Sequence, residues 1–394
     1  MSNLWYNYSY WDYYTFFFYI FVMFFTGVLA FIGQNSRRLI GLNRSVQQHE
    51  GNNINKVFFI GIAFLLVFIS GFRVTNGKVG IDTANYEEIF KSVQSGELKV
   101  FSLKNIITLN QVEPGYLLLN KIIGFFTNNA QFLFVTCSTI TIVFILIAAL
   151  QKKDNISIPQ ILMIYCSSFF IQSFNLVRLY LAVSIIIYAY SYIEKRKIFK
   201  YTTLVLLAAS FHFTALIVWP VYFFWNKNNF KFKNIIYFLI IAVFIYKFND
   251  IFNIYFSNTK YSYYDNTLNE NSHGIGLYLI KSPLLLIAFI LRKPLAKVDK
   301  ANDLYINILI FDFLLTPLSY SFNIFGRISS YFSIIEIFLI PSFAQISRKK
   351  NYTQIFNFLI YLCILVKYIY YIQAYWNVDA IMPYQNILFN SLFD

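Results

Sequence analysis

Charge is scarce in this chain, and metal-ligating residues are scarcer. Charged residues fill 13% of its 394 positions, and it has three cysteines and three histidines. Cys137, Cys166 and Cys363 are odd in number and each sits alone in an apolar run, so they read as packing residues rather than a disulfide framework. No HExxH, no paired CxxC and no histidine cluster at ligand spacing occurs, which leaves a structural or zincin metal site without residues to build it. GFRVTNGK at 71–78 has neither the spacing nor the final Ser or Thr of a P-loop. No DxD-type acidic pair offers a metal-bound nucleotide-sugar site. No cofactor is called for, and substrate energy is expected to arrive by another route. With no fixed-period repeat, low-complexity tail or appended soluble domain, residues 1–394 read as a single domain.

What the chain does have is apolar surface: 58% hydrophobic residues, 21% of the chain aromatic. That leaves too little polar surface to cover a soluble domain of this size. Runs at 13–31, 57–71, 132–150 and 352–374 are long enough to cross about 30 Å of hydrocarbon at about 1.5 Å per residue. The amino terminus lacks a basic n-region, and its first apolar run ends in Gly33, Gln34 and Asn35, so that span is expected to stay in the mature protein.

The net charge of +14 is not a nucleic-acid footprint, because the basic residues form short clusters at span ends rather than one stripe with stacking aromatics. They read instead as topology. Arg37, Arg38, Arg44 and Lys56 mark one cytoplasmic loop, followed by Lys152 with Lys153 and by clusters at 195–200, 227–233, 292–300 and 348–350. Threading through these anchors predicts an all-α polytopic membrane protein with both termini outside. About ten transmembrane helices follow, at 13–33, 54–72, 129–150, 157–174, 177–193, 234–250, 275–291, 303–322, 328–346 and 352–374. Two large outer loops remain, at about 73–128 and 251–274. Residues 201–226 have the length of one span yet carry cytoplasmic anchors at both ends. A re-entrant helical hairpin turning near His212 resolves this, with Trp219-Pro220 breaking its second arm. The alternative is one full span with the next basic loop outside.

Polar motifs gather on the predicted outer face. Arg73 ends the second span, and GIDTANYEEIF follows at 80–90, carrying Asp82 and Tyr86. An arginine fork fixed at a span end suits a diphosphate, since it offers several hydrogen bonds and a charge that does not titrate. Asp82 has the chemistry to orient an acceptor hydroxyl or take its proton, but Asp before Thr is equally an Asx turn or helix N-cap. Glu113 in EPGY (113–116, with Tyr116) precedes a proline at a helix start. It is either an electrostatic cap or a base or sugar ligand. Asn175 and Arg178 in FNLVRLYLA (174–182) fall where two spans meet with almost no loop. Arg178 there either snorkels to lipid phosphate or binds a substrate diphosphate. Arg327, with Tyr331 one turn on, repeats that choice. His212 is a buried packing group unless the hairpin apex opens outward. His273 is a weaker candidate, and Asp312 and Glu336 fall inside spans, where acids are functional suspects or pair with Arg or Tyr.

Taken in order, GIDTANYEEIF, EPGYLLLN (113–120), NLVRLYLA (175–182), AASFHFTALIVWP (208–220) and GRISSYF (326–332) cover most of the chain. In this order and spacing the chain resembles the EpsG-type branch of the Wzy-like bacterial polysaccharide polymerases. The resemblance implies a metal-independent membrane glycosyltransferase. It would assemble O-antigen, capsule or exopolysaccharide from repeat units on undecaprenyl diphosphate, in the bacterial inner or plasma membrane with its site facing the periplasm or exterior. Expected partners are the lipid-linked donor and acceptor glycans, membrane lipid, a chain-length regulator and a flippase. Arg73, Arg178 and Arg327 would hold the donor diphosphate. Asp82 or Glu113 would deprotonate the acceptor with support from His212. Tyr86 and Tyr116 would bind sugars, with Asn175 and Tyr331 beside them. Two other classes stay open: an O-antigen ligase or other lipid-linked glycosyltransferase, and a flippase or transporter. The last would show repeat symmetry and midplane charges, whereas the unusual charges here cluster at outer span ends.

Overall fold

The computed structural model describes residues 9–39, 55–100, 112–152, 154–224, 274–321, 323–346 and 350–389. The predicted span 234–250, the loop 251–273 with His273, the basic segment 227–233, the last residues of the hairpin and residues 101–111 of the first outer loop lie outside them. Among the described residues there are helices and no strands; one antiparallel bridge joins Arg73 to Asn386. The protein is an all-α polytopic membrane protein.

Helices stand where apolar runs predicted them: Tyr10–Leu39, Lys56–Gly71, Gln131–Leu150, Val177–Glu194, Gly274–Ile290, Asn302–Ser321 and Lys350–Tyr375. The stretch predicted at 157–174 is Ile158–Ile164, a π-turn at Tyr165–Phe169, and Phe170–Asn175. The run at 328–346 is broken into Asn323–Ser333 and Glu336–Ser342, bent by 41° between them. By length and apolarity alone, four described helices can cross a membrane, or five if the bent pair is one span. That count covers the described residues only: the predicted span 234–250 lies outside them, and helices such as Lys56–Gly71 are shorter than the length taken for a crossing.

Two charges within these helices are the acids read as span residues. Asp312 pairs with Lys281 at 2.9 Å, and both contact the Ser329 hydroxyl. Glu336 pairs with Lys367, whose ammonium lies 5.7 Å from the Phe169 ring centroid. The partners are lysines on neighbouring helices rather than the arginine or tyrosine expected. An acid and an amine that satisfy each other away from water tolerate burial; either one alone does not. Asp312→Asn is therefore expected to lower stability by about 3 kcal/mol by stranding the Lys281 ammonium. Thermal melting in detergent should show Lys281→Met combined with Asp312→Leu recovering most of that loss.

Val177–Glu194 is the central pillar, packed against Gln131–Leu150, Ile198–Phe211 and Asn323–Ser333. It is buried on all sides and so lacks the single apolar stripe of a peripheral helix. Its two ends organise two polar clusters. At Glu194, the Lys152 ammonium bonds both Glu194 oxygens at 3.0 Å and Asp299 at 3.1 Å, while Tyr305 donates to Glu194 at 2.6 Å. Three of the loops grouped by charge bias are thus tied together physically. Burial pushes the Asp299 carboxyl up, but Lys152 and the Ala301 N–H outweigh it and hold the group below the usual carboxylate range. A depressed folded value contributes stability above the unfolded value of about 3.9 and loses it as pH falls through the folded one. Asp299→Asn should cost about 1.5–3 kcal/mol at pH 7. The gap from wild type should close as melting is repeated below about pH 4.

At the opposite end, the hairpin arms lie antiparallel. Ile198–Phe211 stops at His212, whose extended backbone starts the 3-10 arm Phe213–Phe224. Tyr201 reaches back to the Val218 carbonyl at 2.6 Å, and Trp219 donates to Thr202 at 3.0 Å. The second arm keeps its 3-10 winding through Pro220 instead of breaking there.

Candidate functional site

Helix starts deliver most of the predicted residues to this end. Asp82 is the N-cap of Thr83–Gln94, yet its side chain makes no capping hydrogen bond. Glu113 is the N-cap of Pro114–Gly124, and it too leaves the cap unmade. Both carboxylates occupy capping positions without doing the capping, so the structural use that sequence position proposes for them is absent.

Glu113 is spent elsewhere. Its Oε2 accepts from Arg178 at 2.5 Å, and its Oε1 accepts the Phe213 N–H of the hairpin apex at 3.4 Å. The Arg178 guanidinium lies 5.6 Å from the ring centroids of both Tyr86 and Tyr116. A cation faced by two rings and one carboxylate is fixed in direction, and 18% of the Arg178 side chain stays exposed. The rings themselves meet edge to face at 6.0 Å. Burial raises both tyrosine hydroxyls above the usual range against the pull of Arg178, so both remain neutral donors. The apex can approach this closely because residue 115 is glycine: a Cβ there would lie 2.3 Å from the Ser210 hydroxyl.

Asn175 joins Asp82 to the group. Its Oδ1 accepts the Asp82 N–H at 2.8 Å, and its Nδ2 donates to Asp379 Oδ1 at 2.8 Å. His212 is 9% exposed, and its Nδ1 lies 2.7 Å from the Thr214 hydroxyl, which reaches the Tyr331 hydroxyl at 3.3 Å. Arg327, one turn before Tyr331 and partly exposed, is close enough for its charge to be felt at Tyr86 and Asp379.

Arg73 is withdrawn from this group. It is 1% exposed, donating to the carbonyls of Ser70, Val79 at 3.3 Å and Phe174 at 2.6 Å, between the rings of Phe134 and Phe174. Its donors are taken up by these main-chain carbonyls. Gly80 lies against the same Phe174 carbonyl, since a Cβ there would sit 2.4 Å from the Phe174 oxygen and its φ of +89° suits glycine.

Sequence reasoning missed Asp379, Tyr371 and Thr214. Residues 376–389 return beside 72–81, with Val74 N–H on Gln385, Gly80 N–H on Ala380 and Ile387 N–H on Phe72, at 2.9, 2.9 and 3.0 Å. The available signal was an acid just past the last apolar run, on the predicted outer face. Among the described residues no three His, Cys, Asp or Glu side chains converge as a metal site.

The fold and this cluster define a polytopic membrane protein with an arginine–carboxylate–tyrosine site at one end of its helices. Residues 56–386 match the EpsG family model, and the chain belongs to the EpsG family. No curated protein and no solved structure matches it at a significant level. Membership makes it a polymerase-like membrane protein of polysaccharide biosynthesis, with glycosyltransferase-like chemistry on lipid-linked sugars.

Proposed function

We propose that this protein polymerises undecaprenyl-diphosphate-linked oligosaccharide repeat units into O-antigen, capsule or exopolysaccharide at the outer face of the inner or plasma membrane. The observation that carries the reading is the Arg178 cation, clasped by Glu113 and two tyrosine rings, beside an Asp82 carboxylate left uncommitted by its own helix. Arg178 and Arg327 take the donor diphosphate. As the bond from the sugar C1 to the diphosphate breaks, the electron pair leaves with the phosphate, and their charge stabilises it. Asp82 removes the proton from the acceptor hydroxyl, whose oxygen forms the new bond to C1. Tyr86 and Tyr116, both buried, support the site from behind by holding the Arg178 guanidinium against their rings. Asn175 and Arg73 act behind them, on the chain that carries Asp82. Glu113 orients Arg178, and His212 with Thr214 and Tyr331 fixes the hairpin apex against the helix of Arg327.

The test is gel analysis of surface polysaccharide from cells deleted for the protein, then restored with wild type or Arg178→Ala whose insertion is verified. A single repeat unit without a ladder, rescued by wild type alone, supports polymerase. Loss of all surface glycan points to a ligase or flippase, and an unchanged ladder in the deleted strain overturns the reading.

A further inference from the structure

The role given to Asp82 needs its main chain fixed, and its own side chain does not do this by capping. The fixing bond is the one from the Asp82 N–H to Asn175 Oδ1 at 2.8 Å. An asparagine amide presents oxygen on one side and two donors on the other, so a flipped Asn175 would set donor against donor. What holds the amide the right way round is its other partner. Asn175 Nδ2 donates to Asp379 Oδ1 at 2.8 Å, and Tyr371 donates to Asp379 Oδ2 at 2.8 Å. Both oxygens of Asp379 are therefore engaged by donors, the arrangement an ionised carboxylate accepts. Its backbone adds two anchors, because the Ile81 N–H bonds the Asp379 carbonyl at 3.2 Å and the Gly80 N–H bonds the Ala380 carbonyl at 2.9 Å.

We infer that Asp379 is a positioning residue of the transfer reaction, acting through the Asn175 amide to hold the main chain at Asp82 while the carboxylate of Asp82 stays turned to the acceptor. The inference rests on the reading of Asp82 as the base. The C-terminal segment thereby becomes part of the reaction centre. Tyr371, on the last described helix, is the outermost link. Burial and the charge of Asp82 push the Asp379 carboxyl above the usual carboxylate range, against the hydrogen bonds from Tyr371 and Asn175 and the charge of Arg327.

The network predicts its own rescue. In Asn175→Asp one oxygen still accepts from Asp82, but the other meets the Asp379 carboxylate. Adding Asp379→Asn supplies an NH2 to that second oxygen and leaves a carbonyl for Tyr371, so the same bonds form with polarity reversed between residues 175 and 379. The assay uses purified full-length protein with the lipid-linked repeat unit extracted from cells deleted for it. Asp379→Ala and Asn175→Asp are each expected to lower kcat about 10–100-fold with KM within about twofold, as a small misplacement of a reacting group does. The Asn175→Asp, Asp379→Asn pair is expected to return kcat to within about fivefold of wild type. Wild-type kcat in Asp379→Ala, a raised KM as the main effect of Asn175→Asp, or a pair no better than Asn175→Asp overturns the inference. Should Asp379→Ala fail to insert, the reversed pair decides alone. An inactive Asp82→Asn beside any of these negative results leaves Asp82 as base and removes only Asp379; an active Asp82→Asn removes both.

Discussion

Replacing Arg178 with alanine is expected to abolish the polymer ladder, lowering chain transfer by about 10²–10³-fold, as removal of one preorganised donor to a developing anion does. The substitution has a second consequence that must be separated from the first. Glu113 is 2% exposed, and without Arg178 its carboxylate stays buried after losing its ion-pair partner. Breaking a buried ion pair by deleting one member costs about 3–5 kcal/mol, enough to deplete the folded protein. Adding Glu113→Gln removes the stranded charge and keeps an acceptor for Phe213. The pair of changes should therefore regain melting temperature and still make no ladder. Arg178→Lys should fall between, because an ammonium restores charge but not the planar fork that faces Tyr86 and Tyr116. Full polymer from the double variant would leave Arg178 with a structural role alone.

The arginines also show where the sequence stops being readable. Arg73 and Arg178 both sit at the end of an apolar run, next to a polar motif, and by local pattern they are equivalent. Three-dimensional closure separates them: Arg73 meets the carbonyls of Ser70, Val79 and Phe174, while Arg178 meets a carboxylate and two rings. Helix positions were legible because hydrocarbon thickness and helical rise act on local composition. Asp82 and Glu113 were legible as N-caps by position, but whether a side chain uses its cap depends on competing partners from other helices. Glu113 finds one in Arg178. The lysine partners of Asp312 and Glu336 and the return of Asp379 to Asn175 were not legible at all, since each joins residues far apart in the chain.

Asp82→Asn is expected to lower polymerisation by about 10²–10⁴-fold, the range for loss of a general base, while leaving the fold intact. Asparagine matches aspartate in shape and is as good an N-cap, so the start of Thr83–Gln94 should not notice the change. The local hydrogen bonds that order this turn belong to other groups: the Thr83 hydroxyl donates to the Gly80 carbonyl at 2.6 Å and accepts the Gly77 N–H at 2.9 Å. The Asp82 N–H keeps its bond to Asn175. Stability within about 0.5 kcal/mol of wild type is therefore expected together with a lost ladder. Glu113→Gln makes the contrasting case. Its carboxylate carries the ion pair to Arg178, so melting temperature and activity should fall together. If Asp82→Asn polymerised normally, Asp82 would not be the group that takes the acceptor proton.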